Sequence, residues 1–177
     1  MDQRLIAALR QVLAEIDDKA LKALKGWVNE WGYGGEGKDI LKYKDQYPKP
    51  TNNTLYRVVF VDGNEYKNIL KKGLTPRNKY LESWSLTDRA VTAYSEDYAE
   101  SLDDDWGDQY IVFFRKKIPE KDMVVDLTQV AHLLPEETAS TIDIEKEVLV
   151  QPQKLTKANV YKVIKYDTAT GKKTTIR

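Results

Sequence analysis

The strongest constraint on the fold is a change in the spacing of apolar residues at "YPKPTNN", residues 47–53. Before this break, from Asp2 to Trp31, apolar side chains recur at the three- and four-residue spacing of amphipathic helices. Within "EIDDKALK", Asp17 or Asp18 can cap a second helix. After the break, short apolar stretches alternate with turn residues, as in strands. The chain therefore predicts N-terminal helices followed by a mostly antiparallel sheet system, the α+β class.

The segments after the break divide into strands, two helices and a loop. Strands are predicted at 54–62, 79–87, 109–118, 122–130 and 146–155, and in a final hairpin, 159–177, that turns near Thr170–Gly171. Helices are predicted at 65–72, ended by Gly73, and at 88–102, with Asp88 as N-cap; 134–143 is predicted to be a loop. The 177 residues fit one domain, with a helical part at 1–47 and a mixed core at 54–177.

Composition excludes several kinds of site. The chain has no cysteine, which rules out disulfides, thiolate metal sites and a cysteine nucleophile. The single histidine, His132, leaves little for a histidine metal site or a Ser-His-Asp relay. No metal is therefore expected. Acidic and basic residues balance at 28 each, so no global field attracts a nucleic-acid backbone. A local basic cluster reads as a solvated face: Lys71, Lys72, Arg77 and Lys79.

Neither a membrane nor an export signal is indicated. No apolar run approaches the roughly 20 residues that a membrane span needs. The first residues, "MDQRLIAALRQ", carry an early acid and lack the layout of a signal peptide. We therefore expect no membrane partner and a cytoplasmic protein.

The glycine stretch "GYGGEGKD" requires separate consideration. Gly32, Gly37 and Lys38 match the first seven positions of a phosphate-binding P-loop. A P-loop follows a strand, however, whereas this stretch follows a predicted helix, and its eighth position is Asp39 where a hydroxyl must reach magnesium. The stretch is therefore predicted to be a helix stop and a flexible loop.

Arg57 lies inside the apolar strand "LYRVVF". A guanidinium stays charged and is costly to bury without a partner. Taken alone, the position favours a salt bridge, or a side chain whose aliphatic part is packed while its guanidinium reaches solvent. The alternative is a fixed fork for a phosphate or a carboxylate.

The stretch "ESWSLT" places Ser83 and Ser85 on one face of a strand and Trp84 on the other. Trp84 favours a core position over stacking on a ligand. The two serine hydroxyls can simply complete hydrogen bonds at a sheet edge, which is the common role of such serines.

Glu145 and Glu147 precede the apolar run "VLVQP". If both lie in one extended strand, their carboxylates share a face about 6.5–7 Å apart. The repulsion of the two charges should then raise one apparent pKa. A Glu-x-Glu pair alone is not a specific motif, so its meaning depends on the rest of the chain.

In this order, the three pieces resemble the arginine-serine-glutamate class of mono-ADP-ribosyltransferases. The match consists of Tyr56–Arg57, then Ser83–Trp84–Ser85 running into a helix, then Glu145–Lys146–Glu147 running into a strand. It is similar in particular to T-even phage enzymes and to catalytic domains of bacterial binary toxins. The resemblance covers Leu55 to Ile164, and the N-terminal helices have no specific match. It implies a core of mostly antiparallel strands in two packed sheets.

The resemblance also implies a reaction and its residues. The enzymes of this class cleave the nicotinamide–ribose bond of NAD, their co-substrate, through a transition state with oxocarbenium character. Glu147 would bind the ribose 2′-hydroxyl, Ser83 would orient Glu147, Arg57 would hold the diphosphate, and Glu145 would meet the nucleophile. Further contacts to NAD would come from Tyr56, Val58, Trp84, Ser85 and Trp106. Val58 stands where the family often has glycine, and Trp106 fits a core position equally well.

The acceptor and the alternatives follow from the same comparison. In this class, glutamate at the position of Glu145 implies that the acceptor is an arginine, and therefore a protein. If a phage or a bacterial effector locus encodes the chain, the acceptor would be a host protein in the host cytoplasm. The predicted loop 134–143 lacks the aromatic residue that several toxins use to grip protein targets. A monomer is expected. The alternatives are an NAD glycohydrolase, a non-enzymatic binding module that docks through the N-terminal helices, and a nucleic-acid acceptor.

Overall fold

The computed structural model describes residues 16–29, 36–76, 78–100 and 108–177. The predicted first helix, Gly32, Arg77 and Trp106 lie outside these residues. The helices are α1 (Asp18–Asn29), α2 (Glu36–Lys42), α3 (Gly63–Lys72), α4 (Asp88–Glu100), α5 (Leu127–Val130) and α6 (Glu136–Glu145). The strands are β1 (Thr54–Asp62), β2 (Glu82–Ser85), β3 (Asp108–Lys117), β4 (Met123–Asp126), β5 (Glu147–Val150), β6 (Val160–Asp167) and β7 (Lys172–Thr175).

The described strands pair antiparallel in the order β4-β5-β2-β1-β3-β6-β7. The α+β class is confirmed, but two packed sheets are not, because hydrogen bonds connect all seven strands into one sheet. The pairing is very uneven. β1 pairs with β3 from Thr54 to Asp62, whereas β1 and β2 share one described pair, Tyr56 with Ser85. The sheet is therefore two halves joined at a narrow junction.

Local sequence signals account for the start of α1 and for both ends of α3. Asp17 caps α1, because its Oδ1 accepts hydrogen bonds from the backbone N–H groups of Lys19 (2.9 Å) and Ala20 (2.8 Å). Asp62 caps α3 in the same way, and Gly73 ends α3 at φ 80°. The predicted cap at Asp17 and the predicted stop at Gly73 are confirmed, but α3 begins at Gly63, two residues before its predicted start.

The start of α4 differs from the prediction by one residue. Thr87, rather than Asp88, is the cap, because the Thr87 hydroxyl accepts a hydrogen bond from the Ala90 N–H at 3.2 Å. The Asp88 carboxylate instead accepts a hydrogen bond from the hydroxyl of Tyr161 on β6. The Asp88 side chain, which the local sequence pattern predicted to be the helix cap, therefore takes part in a contact with a distant strand instead.

Three segments differ more strongly from their predictions. Residues 136–145 form helix α6 rather than a loop, and the predicted strand 122–130 ends at Asp126, which caps α5 through the Thr128 N–H at 3.1 Å. Gly37 and Lys38 lie inside α2, not in a flexible loop. Gly37 allows a close approach there, because a Cβ would lie 3.2 Å from the Trp27 ring and from Tyr80 Cβ. In each case the local sequence has only a weak preference for one secondary structure, and tertiary packing overrides it.

The core covers both faces of the sheet but is divided on one of them. One face carries a continuous cluster that includes Leu55, Trp84, Val112, Val148 and Val163. The other face carries two clusters. The first packs α1, α2, α5 and α6 on the β4-β5-β2 half, and includes Leu24, Ile40, Leu127, Ile142 and Leu149. The second packs α4 on the β3-β6 half, and includes Val91, Ala99, Ile111, Phe113 and Tyr166. The two clusters separate at the junction of β1 and β2.

Replacing Gly73 with alanine should destabilise the fold more than the same change at Gly171. Both glycines have positive φ, 80° and 66°. At Gly73 a Cβ would also lie 2.2 Å from the Leu155 carbonyl oxygen, whereas nothing lies within 4 Å at Gly171. We expect losses of about 1 kcal/mol at Gly171 and more than about 3 kcal/mol at Gly73, measured by urea unfolding. Equal losses would contradict the tight crossing of residues 73 and 155.

Candidate active site

A cleft of about 780 Å³ opens where the two halves of the sheet meet. This volume lies within the range of about 300–1,000 Å³ that is typical of ligand sites. The cleft is lined from both halves and from three helices, by Trp27, Val28, Tyr56, Arg57, Val58, Ser83, Trp84, Ser85, Ala90, Val91, Tyr94, Glu137, Thr138, Thr141, Ile142, Glu145 and Glu147. All site residues predicted from the sequence line it, except Trp106, which lies outside the described residues.

The narrow junction explains why residues from both strand faces reach one cleft. Ser83 and Ser85 lie on the face that carries the two separated clusters, together with Tyr56, the partner of Ser85. Arg57 and Trp84 alternate to the opposite face. In the described chain β1 and β2 are paired only at Tyr56 and Ser85, so the two strands can separate beyond this pair. Arg57 and Trp84, on the opposite face, therefore also border the cleft.

Glu147 is the first residue of β5 and lies opposite Ser85 in the sheet. Ser83 lies on the same face of the sheet, because its own partner in β5 is Leu149, two residues after Glu147. The pKa of Glu147 is raised to about 7, chiefly by burial and also by the nearby Glu145 charge, while hydrogen bonding from the Ser83 and Trp27 side chains limits the rise. A carboxyl group with this pKa can be either protonated or ionised near neutral pH, as acid-base chemistry requires.

Glu145 is not part of a strand, so the prediction that both glutamates lie in one extended strand is wrong. Glu145 ends α6, and Lys146 follows in the left-handed conformation (φ 51°, ψ 47°) before β5 begins at Glu147. This is a common way to end a helix. Both side chains nevertheless line the cleft, and burial raises the pKa of Glu145 as well.

The end of β2 holds this turn in place. The Ser85 hydroxyl donates a hydrogen bond to the Glu145 carbonyl oxygen at 2.7 Å. The next backbone N–H, that of Leu86, donates to the Lys146 carbonyl oxygen at 3.0 Å. Lys146 itself forms an ion pair with Asp143 at 2.5 Å on the exposed side. The serine motif therefore fixes both glutamates: Ser83 contacts the Glu147 side chain, and Ser85 fixes the backbone that carries Glu145.

Arg57 forms the salt bridge that its position favoured. Its Nη1 lies 2.5 Å from Glu82 Oε1, and the two side chains are 20% and 2% exposed. The other Glu82 oxygen accepts a hydrogen bond from the Gln153 backbone N–H at 3.0 Å. A buried carboxylate thus neutralises and orients the guanidinium. Since arginine has five N–H donors, one ion pair leaves others for a ligand at the cleft.

Trp84 has the core position that the sequence favoured. It is 2% exposed and belongs to the continuous cluster, with the Arg57 guanidinium 5.9 Å from its ring centroid. Its indole N–H has no hydrogen-bond partner among the described residues. Tyr56 packs edge-on against Tyr161 on β6, with ring centroids 5.9 Å apart. Trp84 and Tyr56 therefore form structural walls of the cleft.

Several cleft residues were not predicted from the sequence. Trp27 appeared only as a member of the apolar stripe of α1, and Tyr94 only as part of α4. Thr141 and Glu137 lie one and two turns before Glu145 on α6, and together they present a polar face to the cleft. Their common spacing of four residues could have been found if 134–143 had been read as a helix.

Two features are absent from the described residues. Residues 16–29, 36–76, 78–100 and 108–177 contain no group of three or more acidic, histidine or cysteine side chains that could hold a metal ion. None of the helices in these same ranges is long and apolar enough to cross a membrane.

No protein-family model matches this chain, and no curated protein sequence matches it. The resemblance to ADP-ribosyltransferases therefore stays a prediction from three short sequence motifs.

Glutamine at position 147 should stabilise the fold at high pH. The folded-state pKa of Glu147, about 7, exceeds the ordinary value of 4.5, so the folded protein binds this proton more tightly than the unfolded chain. The free energy of unfolding therefore falls as the pH rises from about 4.5 to 7. Relative to wild type, Glu147→Gln should gain up to about 3 kcal/mol at pH 8 compared with pH 4, measured by urea unfolding. A difference independent of pH would contradict the burial of this carboxyl group.

Proposed function

We propose that this chain is a mono-ADP-ribosyltransferase that transfers ADP-ribose from NAD to an acceptor, preferably a protein arginine, and releases nicotinamide. The observation that carries the proposal is the convergence of Arg57, Ser83, Glu145 and Glu147 on one cleft. These residues are up to 90 positions apart in sequence, and the order in which they occur is that of the enzyme class they resemble.

The cleft suits a dinucleotide whose two ends carry different charges. NAD carries a cationic nicotinamide ring and an anionic diphosphate. The Glu145 and Glu147 side chains form an acidic part of the cleft, and the Arg57 guanidinium is the cation that lines it among the described residues. In the proposed complex the nicotinamide riboside lies next to the glutamates, and the diphosphate lies next to Arg57.

The proposed chemistry follows from where charge develops. When the glycosidic C–N bond breaks, its electron pair leaves with nicotinamide, and positive charge develops at the anomeric carbon of the ribose. An ionised Glu147 stabilises this charge through the adjacent 2′-hydroxyl. Substrate binding favours the ionised form, because a nearby positive charge lowers the pKa of a carboxyl group. Ser83 lines the cleft on the same face of the sheet as Glu147, and in this proposal it orients the carboxylate.

Helix α6 supports a cationic acceptor. Glu137 and Glu145 lie on one face of this helix and both line the cleft. An arriving guanidinium would be attracted by these carboxylates, and its nitrogen would attack the anomeric carbon while a proton passes to Glu145. The raised pKa of Glu145 makes it a better base than an exposed glutamate. In this proposal α6 takes the place of the aromatic-bearing loop of several toxins.

The two-sheet core of this enzyme class is part of the proposal. One described pair joins the β4-β5-β2 half to the β1-β3-β6-β7 half, which supports reading the halves as two sheets that diverge at the cleft. The proposed setting is a cytoplasm, where NAD and protein acceptors are both present, and the proposed enzyme works as a monomer without a metal.

Glu147→Gln should abolish both nicotinamide release and acceptor labelling. The neutral amide cannot stabilise the developing charge, so we expect a loss of at least about 10²–10³-fold in nicotinamide release. Labelled NAD incubated with a whole-cell lysate measures transfer, and chromatography measures free nicotinamide. Glu136→Gln is the matched control, because Glu136 is exposed on α6 and does not line the cleft. Labelling that persists in Glu147→Gln would refute the proposal.

Glu145→Gln should separate transfer from hydrolysis. Because Glu145 is proposed to act on the acceptor rather than on NAD, we expect nicotinamide release to stay within about threefold of wild type, and transfer to arginine to fall by about 10²-fold or more. The same two assays measure both rates. An equal loss of both activities would remove the proposed acceptor role. Nicotinamide release without labelling in wild type would indicate an NAD glycohydrolase instead.

A further inference from the structure

Three aromatic rings lie together beside the cleft, where α4 contacts β1. Tyr94 and Tyr98 are one turn apart on α4, and their rings are stacked with centroids 6.1 Å apart and planes inclined by 24°. The Phe60 ring on β1 contacts both, with its centroid 4.2 Å from that of Tyr98 and 6.4 Å from that of Tyr94. Offset and edge-on contacts of this kind hold rings in fixed relative positions. We call Phe60, Tyr94 and Tyr98 the aromatic cluster.

The aromatic cluster combines a fixed arrangement with exposure. Tyr94 is 43% exposed and Tyr98 is 36% exposed, which places both among the exposed large apolar side chains of the described residues. Exposed apolar groups that lie side by side mark a binding site more often than single exposed groups do. Tyr94 also lines the cleft. The cluster therefore continues the surface of the cleft along α4.

The order of residues along β1 relates the aromatic cluster to the rest of the cleft. Tyr56, Ser85 and Glu147 occupy one row across the sheet, because Tyr56 pairs with Ser85 and Ser85 pairs with Glu147. Phe60 lies on the same strand face as Tyr56, four residues or about 13 Å further along β1. Arg57 lies between them in the chain and also lines the cleft. In this direction the cleft therefore presents a carboxyl group, then a guanidinium, then aromatic rings.

The charges in the cleft leave the adenylate half of NAD in need of an uncharged contact. Three carboxyl side chains line the cleft, those of Glu137, Glu145 and Glu147. The Arg57 guanidinium is already paired with Glu82. A purine base is flat and neutral at pH 7, and it stacks on aromatic side chains through its π-face. Stacking can therefore hold the adenylate half where the net charge of the cleft does not attract a diphosphate.

We propose that the aromatic cluster is the base-binding part of the cleft, where Tyr94 stacks on the adenine of NAD. This inference rests on the proposed function and adds the contact for the second base. With the ribose at Glu147 and the diphosphate at Arg57, the adenine lies at the aromatic end of the cleft, because the diphosphate and the second ribose separate it from the nicotinamide riboside. Phe60 and Tyr98 hold the Tyr94 ring in position.

The test measures the binding of three probes to Tyr94→Ala by isothermal titration calorimetry. ADP-ribose and AMP carry the adenine base, whereas nicotinamide mononucleotide lacks it. We expect the affinity for ADP-ribose and AMP to fall roughly 5–150-fold, and the affinity for nicotinamide mononucleotide to stay within about twofold of wild type. Tyr94→Phe should recover most of the lost affinity, because stacking needs the ring and not the hydroxyl.

Tyr66→Ala is the matched control. Tyr66 is a half-buried tyrosine on α3 that stacks on Tyr110 with centroids 4.6 Å apart, and it does not line the cleft. Its removal should leave the binding of all three probes unchanged. Thermal unfolding of each variant shows that the folded protein is compared.

Three results would overturn the base assignment. One is an equal loss of affinity for all three probes in Tyr94→Ala, and another is a wild-type chain that binds neither ADP-ribose nor AMP. The third is unchanged probe binding with reduced labelling of a protein acceptor, which would make the aromatic cluster an acceptor contact instead. A wild-type chain that binds ADP-ribose but releases no nicotinamide from NAD contradicts the proposed function. The two failures are distinguishable, because the binding titrations do not depend on turnover.

Discussion

Tyr56 and Ser85 form the one described pair between β1 and β2, and the arrangement of the cleft depends on how little of these strands is paired. A full ladder would close the gap between the halves and direct Arg57 away from Ser83. Because β1 and β2 pair so briefly, the two apolar clusters on the face that carries Ser83 and Ser85 remain separate. One cluster lies under α1 and α6, and the other lies under α4. The cleft is the space between them, and each half keeps its own core.

The charged side chains that line the cleft are mostly acidic, which favours the cationic parts of the proposed substrates and not the diphosphate of NAD. Glu137, Glu145 and Glu147 line the cleft, whereas Arg57 already shares its charge with Glu82. Such a cleft attracts cations, including the nicotinamide ring and a guanidinium, and opposes a diphosphate. The Glu82 carboxylate therefore has two effects on Arg57: it fixes the direction of the guanidinium fork, and it weakens the attraction for phosphate oxygens.

Features encoded within a few neighbouring residues could be predicted from the sequence. The cap at Asp17, the stop at Gly73 and the hairpin turn at Gly171 each depend on contacts within one turn of chain. The α+β class followed from the change in apolar spacing. The helical state of residues 136–145 could not be predicted in this way, because its hydrophobic face is weak and Ile142 is buried by packing against other elements. Trp27 was missed for a related reason: an apolar stripe marks its ring as core and does not reveal that the ring lines the same cleft as a residue 120 positions away.

The Glu145–Lys146–Glu147 turn gives two like side chains different environments. In one extended strand they would share a face and compete for the same space. Instead, Lys146 adopts a left-handed conformation between the end of α6 at Glu145 and the start of β5 at Glu147. The Glu145 carboxyl group therefore extends from a helix, and the Glu147 carboxyl group extends from the sheet. Burial raises the pKa of both, but only at Glu147 do neighbouring side chains, Ser83 and Trp27, limit the rise. Carboxyl groups that must perform different steps need such unequal surroundings. In the proposed mechanism, the left-handed conformation of Lys146 is thus what separates charge stabilisation by Glu147 from proton acceptance by Glu145.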